Sequence, residues 1–257
     1  MFNGLITTWN DAASLALNPS ITSTAAIRLV GRTNGSGTTS IFTRHLANVC
    51  AGVSGNVFTN ANLSGSAYKN IPTAVASLYS LDADSPAEVI DINGNANSIG
   101  YIGADYADTS AAVSTVVLSA LLKNTAGAFV GPTAVDAITA FGSIAPPTGS
   151  DRLDAAKWVP DTSNPSAGYN IIGTSNIVTY TQNGSVGKTN ALVSAGGGGT
   201  PEGFLHWYFN SSSPSTSNVI VDSILNDADL GQMPASWGTA ITDNFITNNS
   251  GQGLNIH

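Results

Sequence analysis

Charge is what this chain has least of. Asp, Glu, Lys and Arg make up 9% of its 257 residues, against about 25% in an ordinary soluble domain. Only 8 residues are basic, and the formal net charge is −8. A nucleic-acid surface needs a basic stripe to neutralise phosphates, so nucleic acid is not expected as a partner. A small anion is not excluded, because a local cluster of donors outweighs a distant field that salt screens. Cysteine occurs once, at Cys50. That rules out a disulfide within this sequence and any cysteine zinc site. The three histidines, His45, His206 and His257, lie far apart and match no metal-ligand spacing, so neither a metal nor a cofactor is expected. No apolar run approaches the ~18 residues of a membrane span, so no transmembrane helix is expected. Met1 to Gly4 lead directly into folded-looking sequence without a secretory leader. The chain is then cytoplasmic, or its true beginning lies upstream.

Ser, Thr, Asn and Gly take the place of the missing charge, a style that suits a secreted or periplasmic protein. The most informative stretch is Leu29 to Asn48, LVGRTNGSGTTSIFTRHLAN. The apolar run Ile27 to Val30 predicts a strand, and Thr38 to Val49 carries Ile41, Phe42, Leu46 and Val49 at helical spacing. Between them stand Arg32, the turn Thr33-Asn34-Gly35, and Ser36-Gly37-Thr38-Thr39 opening the helix. The first N–H groups of a helix lack an intrahelical partner, and the dipole there favours negative charge. Gly35 and Gly37 let the backbone approach a ligand, and Arg32 offers a planar fork to a tetrahedral oxyanion. Three uses of this stretch are open. It is an anion site, a serine-capped turn with a structural role, or the seat of a serine nucleophile at Ser36. The lysine of a nucleotide P-loop is absent. No G-x-S-x-G elbow surrounds Ser36, and His45 lies over two helical turns away.

Elsewhere the pattern predicts helix over Ile6–Leu17, Ile71–Leu81, Thr133–Phe141, Pro201–Phe209 and Ala235–Phe245. It predicts strand over Ser98–Gly103 and Tyr169–Tyr180. Ala111–Leu122 fits either state. Ala51–Ser66 and Ala145–Gly168 read as loop or linker. Phe204, Trp207, Tyr208 and Phe209 are expected in a core. Strands alternating with helices point to an α/β fold with a break near residue 168. The acidic groups Asp82, Asp84, Glu88 and Asp222, Asp227, Asp229 are expected on solvated faces or at caps. N-x-[ST] sequons fall at Asn34, Asn62, Asn183, Asn210 and Asn248.

Several segments together resemble a known family. Phe2 to Asp11, FNGLITTWND, is similar to the IFNGKITNW segment of phosphate-binding proteins that serve ABC transporters. Arg32 to Thr38, RTNGSGT, resembles their R-S-D-G-S-G-T phosphate loop. Ser98 to Ala107, SIGYIGADYA, resembles AIGYVEYAYA. SIFTRHLANVC, GYNIIGTSNIVTYTQ and LGQMPASWGTAITDNF are similar to the DING subgroup. The resemblance implies a class II periplasmic-binding fold, two α/β lobes with a ligand cleft. It implies inorganic phosphate or a similar oxyanion as ligand, an ABC phosphate permease as partner, and a periplasmic or extracellular location without enzymatic activity. Arg32 would pair with the oxyanion, Ser36 and Thr38 would donate from hydroxyl and backbone, and Gly37 from its N–H. Asn34 stands where the family carries a carboxylate, which loosens selection between monohydrogen phosphate and sulfate-like ions or merely keeps the turn.

The same alignment of motifs places residues 1–168 in the second lobe and 169–257 in the C-terminal portion of the first. It leaves the first lobe incomplete, and it implies an upstream disulfide partner for Cys50. One arginine and one helix end predict millimolar rather than micromolar affinity at about 1.4 kcal/mol per tenfold. Two other roles compete: a structural or adhesive extracellular protein that keeps the fold without transport, and a phosphatase acting on bound phosphoesters.

Overall fold

The computed structural model describes residues 1–59, 69–107, 117–180, 182–209, 221, 223–225, 227, 230–247 and 256. Asp222, Asp229, His257 and the sequons at Asn62, Asn210 and Asn248 lie outside them, as does much of Ala111–Leu122 and the end of the Ala51–Ser66 loop. The chain divides into two compact units, Met1–Leu121 and Leu122–His257. The break expected near residue 168 therefore falls inside the second unit.

The first unit is built on a parallel sheet. Helix α1 (Ala12–Leu17) starts after Asp11, whose side chain accepts the Ala13 N–H. The turn before it, expected to be helical, instead pairs with the chain ahead of the sheet: Thr8 bridges Ala26, and the Trp9 N–H donates to Ala25 O. Strand β1 (Arg28–Arg32) leads into α2 (Gly37–Val49), close to the predicted strand and helix. The helix expected over Ile71–Leu81 is replaced by one turn, α3 (Thr73–Ala76), and strand β2 (Tyr79–Asp82). Pairing with β1 decides the matter: Leu29 registers with Tyr79, Val30 with Ser80, Gly31 with Leu81 and Arg32 with Asp82. Non-local pairing here overrides local propensity. Helix α4 (Ser85–Gly94) and the short strand β3 (Ser98–Ile99) complete the sheet in the order β2-β1-β3.

Central position explains the composition of β1. Leu29, Val30 and Gly31 are buried between layers, as the middle strand of a covered parallel sheet requires. Phe42 of α2 stacks on Tyr101 with ring centroids 4.3 Å apart and meets Phe2 edge-on at 4.7 Å. A side chain at Gly31 would crowd Tyr79 at 3.0 Å and the Tyr101 hydroxyl at 3.3 Å. The missing Cβ thus lets both tyrosines lie against the strand.

The second unit holds two hairpins, β4 (Leu122–Lys123) with β5 (Phe129–Val130) and β6 (Ala195–Gly197) with β7 (Thr200–Glu202). Helix α5 (Ala134–Gly142), close to the helix predicted over Thr133–Phe141, is capped by Thr133 and packs Ala140 and Phe141 with Ile172 and Trp237. Helices α6 (Val186–Val193), α7 (Phe204–Phe209) and α8 (Ala235–Ile241) follow, the last running into a π turn over Thr242–Ile246. A second cluster joins Leu205, Ile246 and Ile256.

Three expectations are corrected here. Tyr169–Tyr180 is not a strand, since no described strand pairs with it; Ile172 is buried while Val178 is 92% exposed. Of the loop or linker expected at Ala145–Gly168, the loop stands and the linker is corrected: the segment carries two 3-10 turns, and Trp158 packs against Phe245 and Trp237. Pro201 lies in β7 rather than in the first turn of a helix, because α7 begins only at Phe204. Of the aromatics in α7, Phe209 packs on the second cluster whereas Phe204 is half exposed.

Gly168 is the tightest point of this unit. Its φ is +67°, and a Cβ there would meet Asp136 O at 2.2 Å and Ala140 N at 2.4 Å. Gly149 has a similar φ, +55°, with nothing within 4 Å. Gly168→Ala should therefore cost about 3 kcal/mol or more, against about 1 kcal/mol for Gly149→Ala, which bears the conformational penalty alone. Denaturant unfolding of the two variants checks this, and equal losses would contradict it.

Candidate functional site

Ligand sites in open α/β sheets gather at the carboxyl ends of the strands, where the loops into helices begin. The end of β1 is such a point. Arg32 is its last residue, and residues 33–36 turn the chain into α2. The turn is tied on both sides. Thr33 donates its N–H and its hydroxyl to Asp82 O at 2.9 and 3.0 Å. Ser36 N–H donates to Lys69 O at 2.9 Å. The Arg32 N–H reaches the Tyr101 hydroxyl at 3.4 Å, and that hydroxyl shares a 2.9 Å bond with Thr39 Oγ1. Burial pushes the Tyr101 phenol up to about 12, so it stays protonated at neutral pH and pins strand to helix.

The five residues singled out in the sequence all occupy this one strand-to-helix turn. Ser36 is the N-cap of α2: it is buried, and its Oγ accepts the Thr39 N–H at 3.3 Å. Its own proton remains available to an acceptor. The N–H groups of Gly37 and Thr38 open the helix without intrahelical carbonyl partners. Gly37 is exposed, and a Cβ there would meet nothing within 4 Å. Thr38 is half-buried and Asn34 is exposed at the apex of the turn. The chemistry on offer is a set of N–H and O–H donors at the positive end of a 13-residue helix, a combination suited to oxyanions.

Arg32 supplies the charge. Its guanidinium is folded over the β2–α4 connection, donating to Ser85 Oγ at 3.3 Å and to Ala83 O at 3.0 Å. Its Nε is buried and has no hydrogen-bond partner. Beneath it lies Glu88, fully buried, with Oε2 4.0 Å from the Arg32 Nη1. Neither Glu88 oxygen has a hydrogen-bond partner. Burial pushes the Glu88 carboxyl up to about 7; Arg32 pulls it down, and Asp82 and Asp84 push it further up. The expectation of a solvated face is corrected for Glu88, while Asp84 caps α4 by accepting the Ala87 N–H at 2.9 Å. Asp82 is likewise pushed up by burial and by its neighbour Asp91. Asp91 is pulled down by its hydrogen bond from Arg28.

Sequence reasoning missed Ser85, Glu88 and Tyr101 as parts of this site. No apolar period marked Glu88: the i, i+3, i+4 set in α4 is Pro86, Val89 and Ile90, and Ile90 is 73% exposed. Among the described residues, no group of three His, Cys, Asp or Glu side chains is placed to hold a metal. Cys50 is a free thiol, and burial pushes it up.

A family model described as a PBP superfamily domain matches residues 1–211. Among curated proteins, alkaline phosphatase L of Pseudomonas aeruginosa PAO1 is 35% identical over 180 residues, 69% of this chain and 43% of that protein. The chain spans about half the length of the curated relatives it matches, 43% to 59%. Among solved structures, the phosphate-binding protein from Stenotrophomonas maltophilia covers all of this chain with 65% of its own length, at 22% identity and a TM-score of 0.67. PfluDING, a high-affinity periplasmic phosphate-binding protein solved with phosphate, covers 99% at 24% identity and a TM-score of 0.66. At these identities the likeness is one of fold, and it agrees with the expected class II periplasmic-binding architecture.

Glu88 makes stability depend on pH with a definite sign. Its folded-state carboxyl titrates near 7 against 4.5 for the free side chain, so the native state holds the proton more tightly. Stability from this group is lost as pH rises from about 4.5 through 7. The stability of the wild type relative to Glu88→Gln should fall by about 3 kcal/mol across that window. Parallel stability curves from urea unfolding would contradict this.

Proposed function

The chain belongs to the PBP superfamily, and on that premise we propose that it binds inorganic phosphate or a similar oxyanion at the Arg32–Thr38 turn, as an extracytoplasmic solute-binding protein. The observation that carries this is that the carboxyl end of one central strand bears both a held guanidinium, at Arg32, and, four residues on, an open helix N-terminus. Arg32 forms the charge-assisted contact, Ser36 and Thr38 donate from hydroxyl and backbone, and Gly37 donates its N–H. Asn34 is neutral at the apex, so it neither repels a fully ionised anion nor demands a proton from it. The PBP resemblance and the phosphate-binding structural relatives support delivery to an ABC phosphate permease, and a periplasmic or extracellular location. No described helix is long and apolar enough to cross a membrane.

The name of the curated relatives favours a second use of the same turn, phosphoester hydrolysis with Ser36 as nucleophile. The Ser36 Oγ is engaged as the helix cap, and no described base accompanies it within hydrogen-bond reach. Binding without turnover is therefore the function proposed.

Calorimetric titration with phosphate, carried into the millimolar range, should show saturable binding by the wild type. Arg32→Ala should lose about 10- to 100-fold in affinity, the range of one charge-assisted hydrogen-bonding partner. Equal affinity in both proteins, or none in either, would overturn the assignment. Hydrolysis of a chromogenic phosphate ester, abolished by Ser36→Ala, would instead establish the enzyme.

A further inference from the structure

Helix α4 breaks the rule that amphipathic helices turn apolar residues inward. Ile90 is 73% exposed, whereas Glu88 is fully buried on the face it shares with Ser85 and Ile92. Such local inconsistency marks a functional or strained position. A buried carboxylate without hydrogen bonds is costly unless a partner charge or a proton offsets it. The groups packed around Glu88 identify that partner. Arg32 of β1 stands 4.0 Å away. Asp82 of β2 and Asp84 at the helix cap add like charge. Tyr101, following β3, senses the Glu88 charge but stays neutral itself. The 3-10 turn Ala104–Tyr106, which also packs on α4, carries Asp105 and Tyr106. Among the described residues on these elements the other cation, Arg28 of β1, is taken by Asp91 of α4 at 2.8 Å; Arg32 is the cation that faces Glu88, and it is also the residue assigned to the anion.

We propose that ionised Glu88 is the resident counter-ion of Arg32, and that an anion engaging Arg32 in that state binds together with a proton taken from solvent onto Glu88. The proposal rests on the phosphate assignment above. In the free protein above pH 7, where Glu88 is mostly ionised, its carboxylate offsets the guanidinium charge. An arriving phosphate places two negative oxygens on the same guanidinium, and Glu88 then faces like charge in a dry setting. Protonation relieves the repulsion and returns the full Arg32 charge to the ligand. The free Glu88 carboxyl already titrates close to neutrality, so the coupling operates in the ordinary pH range. Because binding takes up a proton, affinity must fall as pH rises above about 7. Glu88 acts through Arg32 and is a positioning residue, not a ligand.

The test is calorimetry with inorganic phosphate from pH 6 to 8.5, in buffers of different ionisation enthalpy, which counts protons taken up per phosphate bound. Comparison with Glu88→Gln subtracts the titration of phosphate itself. At pH 8.5 the wild type should take up more protons than Glu88→Gln and bind phosphate about tenfold more weakly; at pH 6 the two should bind alike. Infrared spectra of the wild type alone should show a buried protonated carboxyl band that grows when phosphate is added at pH 8, a readout that does not depend on the variant folding. Phosphate binding with equal proton counts in the two proteins, or an unchanged carboxyl band, would overturn the coupling and leave the phosphate site standing. Absence of phosphate binding in both would remove the site and the coupling together.

Discussion

Arg32 is held over a carboxylate that has no hydrogen bond to satisfy it, and that pairing ties the end of β1 to helix α4. The guanidinium is also held by Ser85 Oγ and Ala83 O, and its charge opposes the burial that pushes the Glu88 carboxyl up. A pair of this kind contributes little net stability, since desolvation offsets most of the attraction. Its worth lies in placing one positive charge where a strand ends and a helix begins.

Everything around the pair keeps that placement rigid. Parallel pairing sets Arg32 opposite Asp82, so the end of β1 and the start of the α4 connection share one edge. Thr33 and Ser36 fasten the turn to backbone carbonyls on either side. Tyr101 fastens strand to helix through Arg32 and Thr39, while its ring stacks on Phe42. Donors fixed in this way lose little freedom on binding, which is the condition for recognising a strongly hydrated anion.

The turn itself was legible in the sequence because its signals are local. A serine cap, two glycines and a 3.6-residue apolar period mark the Arg32–Thr38 segment and α2. What was not legible depends on partners distant in the chain. The stretch Ile71–Leu81 looks helical until β1 supplies a strand for Tyr79–Asp82 to pair with. The apolar run Tyr169–Tyr180 looks like a strand, yet none of the described strands pairs with it. Glu88 was hidden by its type: an acidic residue beside Asp82 and Asp84 suggests solvent, and only the fold shows that its face of α4 lies against β1. Apolar period and residue polarity both argued the other way, since Ile90 faces out and Glu88 faces in.

The central claim is that phosphate is received by the first N–H groups of α2 and the guanidinium of Arg32 acting together. Amide and guanidinium NMR shifts followed during a phosphate titration test it most directly. The account predicts that the Gly37 and Thr38 amides and the Arg32 Nε–H move together, with one midpoint and with larger displacements than amides elsewhere. Phosphate-dependent shifts that leave these three groups unmoved would contradict it.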